Sequence, residues 1–302
     1  MTEFHRYIAE EIAIDHVDGV LSRREAMRRL ALLGLSAGAA SALIAACGGG
    51  GTKGSTGATT GTQAVTSPPP GMDHSLPTQP VTWQGPTTQL QGAWAPAQNV
   101  RGAVLVIHEN TGLNEWVKSV AGRLAGAGYS ALAIDLLSEE GGTAKVGDPG
   151  QAQAAISKIP SEQAVADLKS GVGELQRRVP DKKLAVVGFC WGGGMVWKLL
   201  ASGEPRLAAA VPFYGPLPDN PDFSGSKGVA VLPIYGALDT HVTPSKDAAI
   251  AALDRAGLVH APLLVEPDAA HAFFNDTKQS YNPKAAADAW QHVLAWLGQY
   301  VG

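Results

Sequence analysis

Residues 184–194 constrain this chain more than any other stretch. Leu184-Ala185-Val186-Val187 is an apolar run of buried-strand length, Gly188-Phe189-Cys190-Trp191-Gly192 follows, and after Gly193 and Gly194 the run Met195 to Leu200 reads as a helix start. A strand, a sharp turn with small residues two before and two after a nucleophilic side chain, then a helix, is the pattern of a nucleophile elbow. Glycines are needed there because the central residue is forced into strained backbone geometry, and flanking Cβ atoms would crowd the neighbouring strand and helix. The nucleophile would be the sulfur of Cys190. The competing reading is a buried structural thiol beside a tight turn, since free cysteine is often a core residue.

The rest of the folded chain alternates strands and helices. Val81–Trp83 and Leu90–Trp94 read as a hairpin at a sheet edge. Further strands are expected at Ala103–Ile107, Tyr129–Ile134, Ala208–Tyr214, Val231–Tyr235 and Ala261–Glu266. Helical spacing runs over Leu113–Gly128, Ser161–Arg178, Pro244–Ala256 and Pro283–Tyr300, with Gly171 and Gly173 weakening the second. Gly141 to Gly150 carries no periodic signal and reads as a loop. Such alternation implies an α/β domain with a mostly parallel, doubly wound sheet. With 302 residues, 45% hydrophobic and 17% charged, the chain suits one domain of this kind plus extensions.

A thiol nucleophile needs a base, and the base needs an orienting acid. In a parallel sheet these come from loops at the carboxyl ends of strands. Asp239 follows the strand at 231–235 and His271 follows the strand ending at Glu266, so the order Cys190, Asp239, His271 is the nucleophile–acid–base order of the α/β-hydrolase fold. The other histidines fit less well. His108 precedes the elbow and suits bracing of a loop, as does Asp135; His241 shares the loop of Asp239 and is expected exposed; Asp254, Asp268 and Asp276 are expected solvated. Oxyanion donors should be the backbone N–H groups of Trp191, at the helix start, and of Asn110, in the loop after the strand at 103–107. Tyr214, Phe273 and Asn275 are expected to line the substrate pocket. No metal or other cofactor is expected: spaced Cys/His clusters are absent. A net charge of −4 argues against a nucleic-acid partner, and a monomer is expected.

The amino terminus reads as a targeting segment. Ser22-Arg23-Arg24-Glu25-Ala26-Met27-Arg28-Arg29 precedes an apolar, small-residue run from Leu30 to Ala46, as in a secretion signal. The paired arginines resemble a twin-arginine signal, with Ala26 where a bulky residue is usual. Leu43 to Cys47 resembles a lipobox, which implies cleavage before Cys47, its lipidation, and anchoring at the periplasmic or extracellular face of the envelope. A transmembrane anchor is the competing reading. Residues 1–46 are thus expected as signal peptide, 47–78 as a lipidated Gly/Ser/Thr/Pro-rich tether, and 79–302 as the catalytic domain.

From Val81 to Tyr300 the chain resembles the dienelactone hydrolase family. The resemblance rests on His108-Glu109-Asn110 with Gly112-Leu113, Gly128-Tyr129, Asp135-Leu136, Gly188 to Gly193, Phe213-Tyr214-Gly215, Gly236 with Asp239, and His271-Ala272-Phe273. It implies a hydrolase of small esters or lactones working through an acyl-thioester, with Glu109 helping to generate the thiolate. Family members acting on dienelactone bind its carboxylate with arginines, one of them four residues after the histidine; here that position is Asn275. The missing arginines motivate the alternative of a surface lipoprotein that binds rather than turns over.

Overall fold

The computed structural model describes residues 9, 12, 13, 16, 22–47 (backbone only at 46 and 47) and 68–302. The tether read over 48–67, the leader before residue 22 apart from those four positions, and the side chain of Cys47 lie outside the described residues. The chain divides into two compact units, Met1–Pro68 and Pro69–Gly302.

In the first unit, helix α1 (Arg23–Leu32) starts at Ser22, whose Oγ accepts the Glu25 N–H at 3.2 Å. The chain turns at Gly34, φ 81°, into α2 (Ala37–Cys47). Among the described residues no helix is long and apolar enough to cross a membrane.

The second unit begins ahead of Gln79. A 3₁₀ turn at Met72–His74 leads into Ser75 and Leu76, which run along helix α3 (Glu115–Gly126). Leu76 N–H donates to Gly122 O at 3.0 Å, and a Cβ on Gly126 would lie 2.0 Å from His74 O. Those two helix glycines form the groove that holds the segment, which composition alone assigned to the tether.

Strands β1 (Gln79–Gln84) and β2 (Gln89–Ala95) form the antiparallel hairpin at one edge of a nine-stranded sheet. The centre is β4 (Tyr129–Asp135), β3 (Gly102–Ile107), β5 (Leu184–Phe189) and β6 (Leu207–Phe213), in that spatial order and parallel. In β3, β4 and β5 every residue is buried, as continuous apolar runs covered on both faces must be. Helix α6 (Ser161–Arg178) spans the expected residues despite its glycines. A Cβ on Gly171 would stand 3.2 Å from Ile134 and Leu105, so that glycine lets the helix sit close to the sheet.

Three local expectations differ. The stretch 141–150 is not a plain loop: it holds α4 (Thr143–Val146) and begins α5 (Pro149–Ile156), whose start is fixed by a capping box of Asp148 and Gln151. Helices this short carry too few turns for periodicity to show. The strand at 231–235 is two pieces, β7 (Ala230–Val231) and β8 (Ile234–Gly236), because Pro233 has no N–H to give the ladder. The strand at 261–266 shrinks to β9 (Leu264–Glu266), with Pro262 interrupting it. Helices α7 (Trp191–Ala201), α8 (Lys246–Ala256) and α9 (Pro283–Tyr300) complete the unit.

Candidate active site

Cys190 sits between β5 and α7 with φ 56° and ψ −121°, a conformation L-residues rarely adopt. Packing imposes it. A Cβ on Gly188 would lie 2.2 Å from Gly192 O, one on Gly192 2.4 Å from His108 O, and one on Gly193 2.3 Å from Phe213 O. The turn therefore wedges between the ends of β3 and β6 and accepts only glycine at those positions. Cys190 N–H donates to Phe213 O at 3.1 Å, which ties the elbow to the end of β6.

The next residue, Tyr214, has φ 35°, and its N–H donates to Ile234 O at 2.7 Å. Its ring meets that of His271 edge-on, centroids 5.0 Å apart. Tyr214 thus spans from the elbow to the imidazole. Ala272, φ 58°, is a third non-glycine residue in left-handed geometry around the same point. Strain of this kind costs about 1–3 kcal/mol per residue and persists where surrounding structure over-determines it, often at functional sites.

Asp239 and His271 meet across the loops after β8 and β9: His271 Nδ1 donates to Asp239 Oδ2 at 2.6 Å. Both are nearly fully buried. Asp239 Oδ1 accepts the N–H groups of His241, 3.0 Å, and Val242, 2.9 Å. Burial pushes the Asp239 carboxyl up, but the adjacent His271 and those hydrogen bonds outweigh it and hold the group below the usual carboxylate range. The Nδ1 donation also fixes the tautomer of neutral His271, so the ring's lone pair is on Nε2.

The loop after β3 carries the other expected residues. His108 Nδ1 donates to Glu109 O at 2.6 Å and Nε2 accepts Leu136 N–H at 3.2 Å. Burial pushes its pKa down despite the opposing field of Asp135, so it is a neutral brace. It stacks on Trp191, centroids 5.4 Å apart. Asp135 braces as well, accepting Thr143 N–H, 2.7 Å, Thr143 Oγ1–H, 2.8 Å, and Leu137 N–H, 3.0 Å. Glu109 and Asn110 are each 1% exposed.

Asn275 does something the sequence did not suggest. Its Nδ2 donates to Glu109 Oε2 at 2.9 Å while its Oδ1 accepts from Thr277 N–H and Oγ1–H. Lys278 Nζ lies 3.8 Å from the same Glu109 oxygen. Lys278 went unnoticed because nothing in its spacing links it to a glutamate so far away in sequence. Phe273 packs against Phe213 and Tyr214, and Phe274 stacks on Phe189. His241, Asp254 and Asp268 are exposed, as expected. Asp276 is a correction: it is an acceptor for Arg123 Nη2 at 2.7 Å and Trp116 Nε1 at 3.0 Å, the Arg123 side chain being fully buried. The charged partner comes from a helix that local pattern could not connect to this loop.

An elbow cysteine on β5, a carboxylate after β8 and a histidine after β9 on a mostly parallel sheet define an α/β hydrolase. The comparisons narrow this further. The dienelactone hydrolase family model matches residues 90–301. An Escherichia coli O157:H7 protein named "putative carboxymethylenebutenolidase" is 35% identical over 210 residues, covering 66% of this chain and 77% of its own. A Yersinia pestis protein of the same name is 32% identical over 246 residues, 75% of this chain and 92% of that one. The crystal structure of a "putative dienelactone hydrolase" from Klebsiella pneumoniae superposes with TM-score 0.64 at 30% identity, over 74% of this chain and 99% of that one. The chain belongs to the dienelactone hydrolase family, and it is an enzyme, a hydrolase of carboxylic esters or lactones.

Proposed function

We propose that the chain cleaves a small ester or lactone through a Cys190–His271–Asp239 triad and an acyl-thioester intermediate. The observation that carries this reading is the 2.6 Å bond from His271 to Asp239 beside a strained elbow cysteine whose neighbour Tyr214 touches the imidazole. His271 Nε2 takes the Cys190 thiol proton as sulfur attacks the acyl carbon. The N–H groups of Trp191, in the first turn of α7, and of Asn110 stabilise the oxyanion. Collapse expels the alcohol, which leaves with the proton from His271. Water, deprotonated by the same nitrogen, then hydrolyses the thioester to release the acid and restore the thiol.

In this reading Glu109 assists thiolate formation, supported by Asn275 and Lys278, which hold its Oε2. Because Asn275 spends its amide on Glu109, it does not stand in for a carboxylate-binding arginine, which argues against dienelactone as the natural substrate. The test is a panel of esters and lactones assayed beside Cys190→Ala. A loss of about 10³-fold or more in kcat is expected; wild-type rates in that variant would end the mechanism.

Export with lipidation at Cys47 is the accompanying proposal, motivated by the basic and apolar run and the lipobox-like Leu43 to Cys47. Membrane fractionation of cells expressing the full chain should find it in the envelope, and Cys47→Ala should release it. A wild-type chain recovered wholly in the soluble cytoplasmic fraction would refute this.

A further inference from the structure

Three buried side-chain polar atoms on two consecutive residues have no hydrogen-bond partner among the described residues: Glu109 Oε1, Asn110 Nδ2 and Asn110 Oδ1. The two residues open a turn closed by Gly112 N–H to Glu109 O at 3.3 Å, with Gly112 at φ 79°. The turn lies beside the elbow. His108, just before it, stacks on Trp191, and the carbonyls of Ile107 and His108 occupy the space that a Cβ on Gly192 would need. Buried polar groups are almost always satisfied, and stranding a whole amide is costly. A concentration of such atoms at one strand end marks a place where something else returns the bonds.

The chemistry of the three atoms narrows what that is. Asn110 offers both donor and acceptor, and Glu109 Oε1 offers an acceptor. The other oxygen of Glu109 is taken by Asn275 and faces Lys278. A ligand carboxylate would meet the Glu109 carboxylate in a water-poor setting and be repelled. An alkyl group would leave all three atoms stranded. A hydroxyl serves two of them at once: it accepts from Asn110 Nδ2 and donates its one proton to either Asn110 Oδ1 or Glu109 Oε1.

We propose that the Asn110 side chain, with Glu109 Oε1, determines specificity for a hydroxyl on the acyl part of the substrate, so that hydroxy esters and hydroxy lactones are preferred. The inference rests on the reading of Cys190 as nucleophile, which puts the loop after β3 against the acyl group. It concerns the side chain of Asn110, separate from the backbone N–H assigned to the oxyanion.

Matched esters of one alcohol test it on the full chain: ethyl lactate against ethyl propionate, and ethyl glycolate against ethyl acetate, followed by pH-stat. Wild type should favour the hydroxylated member in kcat/KM by about tenfold or more beyond the ratio of their hydroxide-catalysed rates, since a site built to bond a hydroxyl rejects the analogue lacking it. Asn110→Leu should bring the ratio down to that of hydroxide-catalysed hydrolysis of the same pair, which carries the inductive effect of the hydroxyl alone. Asn110→Asp, isosteric but without the donor, should fall between. The ratio cancels any loss common to both esters, including a disturbed oxyanion donor. If Asn110→Leu does not fold, the wild-type ratio and Asn110→Asp still decide. A wild-type ratio no greater than the hydroxide-catalysed one, or a ratio unchanged in both variants, would mean that ordered water meets the amide and would overturn the inference. A Cys190→Ala enzyme still active on these esters would instead overturn the underlying reading of the site.

Discussion

Two loops at the same rim of the sheet each bring a buried histidine to a strand end, and they use it differently. In the loop after β3, both ring nitrogens of His108 are spent on backbone, Glu109 O and Leu136 N–H, and burial keeps the ring neutral. In the loop after β9, one nitrogen of His271 is held by a carboxylate at 2.6 Å. A carboxylate partner favours the imidazolium that forms when a base takes a proton; a carbonyl and an amide only fix the ring in place. Neighbouring geometry, more than burial, separates the proposed base from the brace.

The largest effect should come from breaking that carboxylate contact. Asp239→Asn should lower kcat by about 10³–10⁴-fold with little change in fold, because the wrong imidazole tautomer is stabilised; steady-state kinetics beside thermal melting checks it. A rate within tenfold of wild type would erase the distinction between the two loops.

Next in size is the strap that holds the β9 loop. Arg123→Met would leave Asp276 without its cation and should cost about 3 kcal/mol or more, read as a melting temperature lower by roughly 6–12 °C. The ion pair of the β3 loop, Lys278 with Glu109, is longer at 3.8 Å, and the His108 brace is neutral, so that brace should be worth less. His108→Leu strands the Leu136 N–H and removes one of the two donors to the Glu109 carbonyl, and should cost about 2 kcal/mol, again by melting. In that variant the proposed triad expects the acid limb of the pH–kcat/KM profile to stay where it is in wild type; a moved limb would make His108 the titrating base.

The smallest effects lie in the pH dependence of stability, where two carboxyls act in opposite senses. Asp239 is held below its ordinary pKa, so its contribution is present above the unfolded value of about 4 and is lost as pH falls below that. Glu266, at the root of the β9 loop, is pushed up to about 7 by burial and by Asp288. The folded state holds its proton between about 4.5 and 7, so ionisation increasingly destabilises the fold over that window and fully so above it. Glu266→Gln should therefore raise the melting temperature at pH 8 and leave it unchanged near pH 4. An equal effect at both would show that its charge is irrelevant.

Much of this molecule was legible one segment at a time. Strand β5, the glycines about Cys190 and the turn into α7 follow from short-range sterics, and the full length of α6 followed from apolar spacing even with Gly171 inside it. Where proline cut strands at Pro233 and Pro262, the residues stated the break plainly, yet runs of apolar neighbours hid it. The helices at 143–156 were too brief for any period to emerge.

By itself the sequence determined the alternating sheet-and-helix architecture, the strained elbow and the order in which a thiol, a carboxylate and an imidazole are delivered to strand ends. Those follow from φ/ψ limits and periodicity acting within about ten residues. Only the tertiary structure decided that Asn275 binds Glu109, 166 residues away, and that Arg123 binds Asp276, 153 residues away. Such pairs form because sheet register and helix packing bring distant loops to one rim, and no local pattern encodes which side chains will then face one another.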